Sequence, residues 1–136
     1  MSSDRGRQVQ IFTTCNIINS LYNHFSAILL QLYPSQITNE EKIFGIYIEK
    51  NPKIELRNYI TFFIRHIVYR SRNADFISSN IINNLRIKII KAIESDIISK
   101  FNIAKMKREV DKFKNIFLMD EILAKIQENT LILNLI

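Results

Sequence analysis

Few side chains in this sequence could do bond chemistry, and their spacing brings no set of them together. The candidates are two histidines, His24 and His66, and one cysteine, Cys15. A closed structural zinc site needs four ligands, and a catalytic site needs several convergent groups. Neither histidine has a carboxylate three or four residues away, and the two glycines, Gly6 and Gly45, are too far apart for a phosphate loop. The residues therefore predict no enzyme active site, no cofactor and no metal site.

Arginines interleaved with aromatic residues indicate a nucleic-acid-binding surface. Between residues 53 and 72 the chain carries several of both. Such a mixture can hold phosphates and stack bases. The alternative is that the aromatic residues belong to the core and the arginines form a solvated stripe. The predicted nucleic-acid-binding residues are Arg57, Arg65, Arg70, Arg72, Arg86, Lys88 and Lys105.

The distribution of charge favours the same partner. The net charge is +6, and residues 1–50 contribute none of it, with four Lys and Arg against four Asp and Glu. Residues 51–136 carry fifteen against nine. A basic second half suits a phosphate backbone, although an ordinary solvated helical surface has the same composition. We therefore expect weak, non-specific binding of RNA or DNA.

Composition indicates the elements that must position these residues. Hydrophobic residues make up 47% of the chain, which is enough for a core, and there are only 2 Gly and 2 Pro. An all-β fold would need more turn residues, so long helices are favoured. The predicted fold is all-α, a small irregular bundle of four to six helices that includes a long basic helix in the second half.

Helical spacing and capping signals define the first half. A helix is predicted over 9–33, with an apolar stripe along 17–32 and a stop at Pro34. Thr38 and Glu41 form a capping box for a short helix, and Gly45 is its expected left-handed stop.

The second half begins with Asn51 as an N-cap and Pro52 as the first helical residue. That helix is predicted to reach Arg72, where 71–75 forms a break. A further helix starts near 75–79 and continues to about Leu118, and a last helix covers 120–128. The predicted organisation is a disordered N-terminus at 1–8, one helical domain at 9–128 and an apolar tail at 129–136.

Targeting signals are absent from the pattern. The polar N-terminus has no apolar h-region, which predicts an intracellular protein of the cytoplasm or nucleus. Residues 8–39 carry no charged side chain, but Asn, Ser and Gln interrupt every apolar run. A run of about 18 apolar residues is needed to span a bilayer, so no membrane partner is expected.

Several segments resemble, in order and spacing, the C-terminal tail of LINE-type (non-LTR) retrotransposon reverse-transcriptase polyproteins. Residues 37–46 (ITNEEKIFGI) resemble the family's L-T-x-E-x-x-x-F-G stretch. Residues 56–60 (LRNYI) and 67–72 (IVYRSR) are similar to its L-N-Y-(I/L) and (I/V)-Y-(R/K)-x-R segments. The closing I-E … Y-x-A-x-x-x … K-F pattern is similar to 93–94 (IE), 101–105 (FNIAK) and 112–113 (KF). The likeness covers roughly 11–117.

The resemblance extends into the family's zinc-binding segment, which ends in H-x-F-x-x-C with an aromatic residue seven positions on. Phe12, Cys15 and Tyr22 match its phenylalanine, cysteine and aromatic positions, whereas Gln10 stands where the histidine should be. The resemblance thus implies a zinc-binding remnant, with Cys15 as the one remaining ligand, in a copy that lacks the polymerase and endonuclease domains.

The function expected from all of this is a truncated reverse-transcriptase tail without catalytic residues that binds nucleic acid weakly. The alternative is a helical protein–protein interaction module that docks through the stripe at 17–32 and the apolar tail at 131–136.

Overall fold

The structure is a computed structural model that describes residues 2–47, 50–71 and 80–135, with side chains from residue 16 onward. Within these ranges the helices are α1 (Ser2–Leu32), α2 (Asn39–Phe44), α3 (Pro52–Ser71), α4 (Ile81–Met106) and α5 (Val110–Phe117). A 3₁₀ turn at Met119–Glu121 follows, and then an antiparallel hairpin of β1 (Ala124–Gln127) and β2 (Thr130–Leu133). The predicted all-α class is confirmed, with this hairpin as a small addition.

The core lies where α1, α3 and α4 pack against one another. Each helix contributes a row of aliphatic side chains at three- and four-residue spacing, which a helix places on one face. The predicted apolar faces are confirmed. Fully buried members include Leu21, Leu29 and Leu32 of α1, Ile60, Ile64 and Val68 of α3, and Leu85, Ile89, Ile93 and Ile97 of α4.

Local signals set the starts of α2 and α3. The Glu41 N–H donates to Thr38 Oγ1 at 3.1 Å, and the Lys53 N–H donates to Asn51 Oδ1 at 2.8 Å. Both predicted N-caps are confirmed. The second half of the capping box is wrong, because the Glu41 carboxylate binds Arg57 and does not reach back to Thr38.

Gly45 ends α2, as predicted, but it does not adopt the αL conformation expected of such a stop, and it attaches the following loop to α3. Its φ of +83° and ψ of −171° belong to a region that is essentially restricted to glycine. The Asn58 side chain bonds both backbone groups of Ile46, accepting from N–H at 2.8 Å and donating to C=O at 2.7 Å. A Cβ at position 45 would lie 2.9 Å from Asn58 Oδ1.

The predicted continuous helix to Leu118 is wrong at one turn. α4 ends at Met106, and Arg108 adopts a positive φ of 56° before α5 begins. This turn allows the α5 residues Phe113 and Phe117 to pack back toward the core. The predicted break at 71–75 and helix start near 75–79 lie largely or wholly in 72–79, outside the described residues.

The predicted helix at 120–128 is also wrong, because this segment enters the hairpin. Glu128 and Asn129 both have positive φ, 53° and 64°, as a two-residue type I′ turn requires. The turn pairs Ala124 with Leu133 across the strands, and Leu135 is buried in the core. Pairing with the apolar tail therefore outweighs the local helical pattern.

At the N-terminus the helical backbone begins at Ser2, whereas the sequence predicts disorder to residue 8.

Replacing Gly45 tests the conformation of this turn. We expect Gly45→Ala to lower the free energy of unfolding by about 1–3 kcal/mol, because alanine is strained at this φ and its Cβ meets Asn58. Urea unfolding followed by circular dichroism measures the change. Repeating the substitution in an Asn58→Ala background separates the two causes. A full-size loss there assigns the effect to φ, and an unchanged stability in both backgrounds contradicts the turn conformation.

Candidate nucleic-acid interface

Arg57, the first predicted nucleic-acid-binding residue, is a core residue. Its side chain is 0% exposed, and Glu41 beside it is 1% exposed. The guanidinium makes a two-pronged pair with Glu41, from Nε to Oε2 at 2.6 Å and from Nη2 to Oε1 at 2.5 Å. A phosphate cannot reach a cation that is enclosed in this way. The assignment of Arg57 to the interface is therefore wrong.

The remaining Arg57 nitrogen holds the end of α1. Nη1 donates to three carbonyl oxygens, those of Leu29, Tyr33 and Ser35, the last at 3.0 Å. Carbonyls at a helix C-terminus lack helical partners and carry partial negative charge. Arg57 thus joins the end of α1, the start of α2 and the second turn of α3.

The arginines of α3, which in the alternative interpretation form a solvated stripe, point inward at Arg57. Thr61, one turn after Arg57, is also fully buried. Arg65 is half-buried, and its Nη1 donates to Glu41 O at 3.1 Å and Thr61 Oγ1 at 3.2 Å. Burial raises the pKa of the neighbouring Tyr22 to about 12, although the Arg65 charge acts in the opposite direction. Arg65 therefore offers only part of its guanidinium to a ligand.

The other predicted residues divide by exposure. Arg70, Lys88 and Lys105 are exposed, and Arg86 is half-buried with a bond from Nη2 to Asn83 Oδ1 at 3.1 Å. Lys105 Nζ lies 4.6 Å from the centroid of the Phe101 ring. Arg72 lies outside the described residues.

Further exposed cations, which the sequence analysis does not predict, lie beside the predicted ones along α4 and α5. Between residues 81 and 117 there are nine Lys and Arg against four Asp and Glu. We use the name basic surface for the exposed members Lys88, Lys91, Lys105, Lys107, Arg108, Lys112 and Lys114. The run at 105–108 (KMKR) was a visible signal. Basic residues near the end of α4 also complement the partial negative charge of that helix terminus.

One cation of α4 is engaged differently. Lys100 Nζ lies 2.6 Å from Asp96 Oδ2, and the same oxygen accepts the Tyr59 hydroxyl at 2.5 Å. Tyr59 also packs edge-on against Phe117, with ring centroids 5.4 Å apart. Burial and Asp96 together raise the pKa of Tyr59. This cluster ties α3 to α4 and α5 and leaves Lys100 outside the basic surface.

A shallow groove lies between α4 and β2. It has a volume of about 240 Å³ and is lined by aliphatic side chains of both elements, with Glu94 as its one charged lining residue. General acid–base or nucleophilic chemistry needs at least two convergent groups. The groove therefore offers no catalytic arrangement.

The remaining residues considered for chemistry are the histidines and Cys15, the predicted remnant zinc ligand. His66 is exposed and stacks on Phe62, with ring centroids 5.5 Å apart and an interplanar angle of 12°. The Cys15 side chain is not among those described. Within the described part of the chain, no three His, Cys, Asp or Glu residues come together in a way that could hold a metal ion. None of the described helices is both long and apolar enough to cross a bilayer.

Comparisons of this chain with models of protein families, with curated proteins and with solved structures find no match.

Removing one member of the buried ion pair tests how much the pair contributes to the stability of the fold. We expect Glu41→Gln to lower the free energy of unfolding by about 3–5 kcal/mol, because it leaves the Arg57 charge buried without its counterion. Chemical denaturation provides the measurement. The control is Asp120→Asn, which breaks the exposed Lys53–Asp120 pair at 3.3 Å and should cost less than about 1 kcal/mol. Equal effects of the two substitutions would contradict the burial of Arg57.

The Asp96 cluster predicts a dependence on pH. Burial opposes ionisation of Asp96, but hydrogen bonds from Lys100 and Tyr59 outweigh it and hold its pKa below the usual range. The ionised form therefore stabilises the fold above the unfolded-state pKa of about 3.9, and this stabilisation is lost as the pH falls through the lower folded value. We expect Asp96→Asn to be less stable than the parent at pH 7, with the difference shrinking below about pH 4.

Unfolding curves across this pH range check the expectation. Glu94→Gln removes an exposed carboxylate from the same helix and should cost less at pH 7. A difference for Asp96→Asn that does not change with pH would show that the hydrogen-bonding shape, and not the charge, stabilises the cluster.

Proposed function

We propose that this chain binds RNA or DNA weakly and without sequence specificity, through the basic surface of α4 and α5 together with Arg70. The observation that carries the proposal is the state of these cations. They are exposed, and among the cations of α4 and α5 only Lys100 pairs with a carboxylate in the described part of the chain. Charges in this state are free to replace the counterions of a phosphate backbone.

The dimensions of the surface suit an extended polyanion. Lys88 and Lys105 are seventeen residues apart on one helix, which corresponds to roughly 25 Å along its axis. A duplex of that length carries roughly fifteen phosphates, so several of them can face the basic surface at once. Lysines act as point charges and impose little geometry, which explains why we expect no sequence preference.

We infer descent from the tail of a LINE-type reverse-transcriptase polyprotein on the basis of the ordered resemblance across 11–117. One feature supports it: the motif positions include Thr38, Gly45 and Asn58, which cap the start of α2, end that helix and anchor the loop after it. Decayed polymerase and endonuclease reading frames beside the gene would support this origin, and an unrelated, intact neighbouring gene would count against it. On this view the chain has no polymerase activity and no resident cofactor.

Protein binding is a second candidate, but on different residues from those predicted. The stripe at 17–32 lies in the core, and the tail pairs with β1 as β2 and buries Leu135, which leaves Ile132 as its exposed apolar side chain among the described residues. The exposed apolar side chains around the end of α2 are Ile43, Phe44 and Tyr47. Light scattering tests this surface: a monomer whose mass does not change with concentration argues against self-association through it.

Fluorescence anisotropy with labelled 20-mers of RNA, single-stranded DNA and duplex DNA tests nucleic-acid binding. We expect the logarithm of the affinity to fall linearly with the logarithm of the salt concentration. Lys88→Glu combined with Lys91→Glu should weaken binding about tenfold and reduce the slope by about two, because two phosphate contacts are lost.

The control is Lys50→Glu combined with Lys53→Glu, which makes the same change in net charge outside the basic surface. Equal losses of affinity in the two double variants would show that net charge alone, and not contact with the basic surface, determines binding. A folded protein that binds none of the three probes at low salt would refute the proposed function.

A further inference from the structure

We propose that the outer face of α3 is a stacking platform for the bases of a single-stranded nucleic acid. The platform consists of Phe62, His66 and Tyr69. This inference rests on the proposed function and deepens it, because it assigns the single-stranded form to a surface separate from the basic surface of α4 and α5.

The three rings form one exposed row. They are spaced by four and three residues, so a helix places them on a single face. Phe62 is 52% exposed and Tyr69 is 46% exposed, while Ile60, Ile64 and Val68 of the same helix fill the core. Phe62 and His66 already stack on each other, so their outer surfaces present an ordered aromatic group rather than scattered side chains.

Cations flank the row on both sides. At 100° per residue, Arg65 lies about 60° to one side of Phe62 and Arg70 about 80° to the other. Arg70 is exposed, and Arg65 is held in place through Nη1 by Glu41 O and Thr61 Oγ1. The only carboxylate of α3 is Glu55, seven residues before Phe62. Within α3 the charge beside the rings is therefore positive, which complements a phosphate chain.

The composition of the face separates a single strand from other partners. In a duplex the bases are already stacked inside, so exposed rings gain nothing from it and only the arginines would engage. A protein partner usually meets a surface with a well-packed apolar centre. Here the outward residues between Phe62 and Arg70 are aromatic or cationic, and no aliphatic side chain among them is exposed. Aromatic rings with adjacent arginines are the combination that holds unpaired bases without sequence preference.

The absence of tryptophan from the sequence makes a direct test available. Phe62→Trp places the one tryptophan of the chain on the platform, and Leu30→Trp places one at an exposed position of α1; each is excited at wavelengths that tyrosine does not absorb. The probes are dT20, U20 and a 20-base-pair duplex DNA. We expect dT20 and U20 to quench the fluorescence of the Phe62→Trp variant as they bind, and the duplex to leave it unchanged. The fluorescence of the Leu30→Trp variant should respond to none of the three probes.

Affinity gives a second readout with the tryptophan-free protein. We expect Phe62→Ala combined with Tyr69→Ala to weaken binding of dT20 and U20 at least about tenfold, because stacking contributes about 1–3 kcal/mol per base. Duplex binding should change by less than about twofold. Leu30→Ala is the control for removing an exposed apolar side chain, and circular dichroism establishes that each variant is folded.

The outcomes separate this inference from the function on which it rests. Unquenched fluorescence of the Phe62→Trp variant, with an unchanged affinity of the double alanine variant for single strands, overturns the platform and leaves binding by the basic surface intact. Failure of the unaltered protein to bind any probe overturns both. If the double alanine variant retains single-strand affinity but loses self-association in light scattering, the face is a protein contact, and the inference is again overturned.

Discussion

The buried pair between Arg57 and Glu41 is the constraint on which the arrangement of the first three helices depends. Burying two charges costs several kcal/mol per ion, and the cost is offset only where geometry and hydrogen bonding are nearly complete. Here the guanidinium uses Nε and Nη2 for the carboxylate and Nη1 for the carbonyls at the end of α1. Among the described side chains, no buried nitrogen or oxygen is left without a partner. The pair fixes where the end of α1 and where α2 must lie, since a shift of α2 would separate the two charges and a shift of α1 would remove carbonyl acceptors of Nη1.

This constraint also decides which cations can serve a ligand. The sequence offers a run of arginines along α3, and one might assign all of them to a single surface. Arg57 is enclosed and Arg65 is partly engaged, so the exposed positive charge moves to α4, α5 and the end of α3. Because α3 is oriented with Arg57 toward the core, Phe62 and Tyr69 on its other side face outward. The inward seam of polar groups and the outward row of rings are therefore two consequences of one orientation of the helix.

The second half of the chain is held by different interactions. The hydrogen-bonded cluster of Tyr59, Asp96 and Lys100 joins α3 to α4. The Phe113 ring of α5 packs between those of Phe101 and Phe117, with centroid distances of 5.2 and 5.1 Å. The turn at Arg108 folds α5 back so that these rings can meet. The hairpin segment then adds Leu123, Ala124 and Leu135 to the core. These contacts leave the lysines of α4 and α5 on the outside.

Through periodicity and short-range capping, the sequence alone determined three apolar helix faces and three helix ends. The apolar rows of α1, α3 and α4, the caps at Thr38 and Asn51 and the stop at Gly45 follow from side-chain spacing and from backbone chemistry within a few residues. Tertiary structure decided the rest. A polar residue on a helix looks the same in sequence whether it faces water or a matched buried charge, so the burial of Arg57 depended on Glu41 sixteen residues away. Likewise, the segment 124–127 has a helix-like pattern of its own but forms a strand, because it pairs with 130–133. Strand pairing is a contact between separate segments, so neither segment shows it alone.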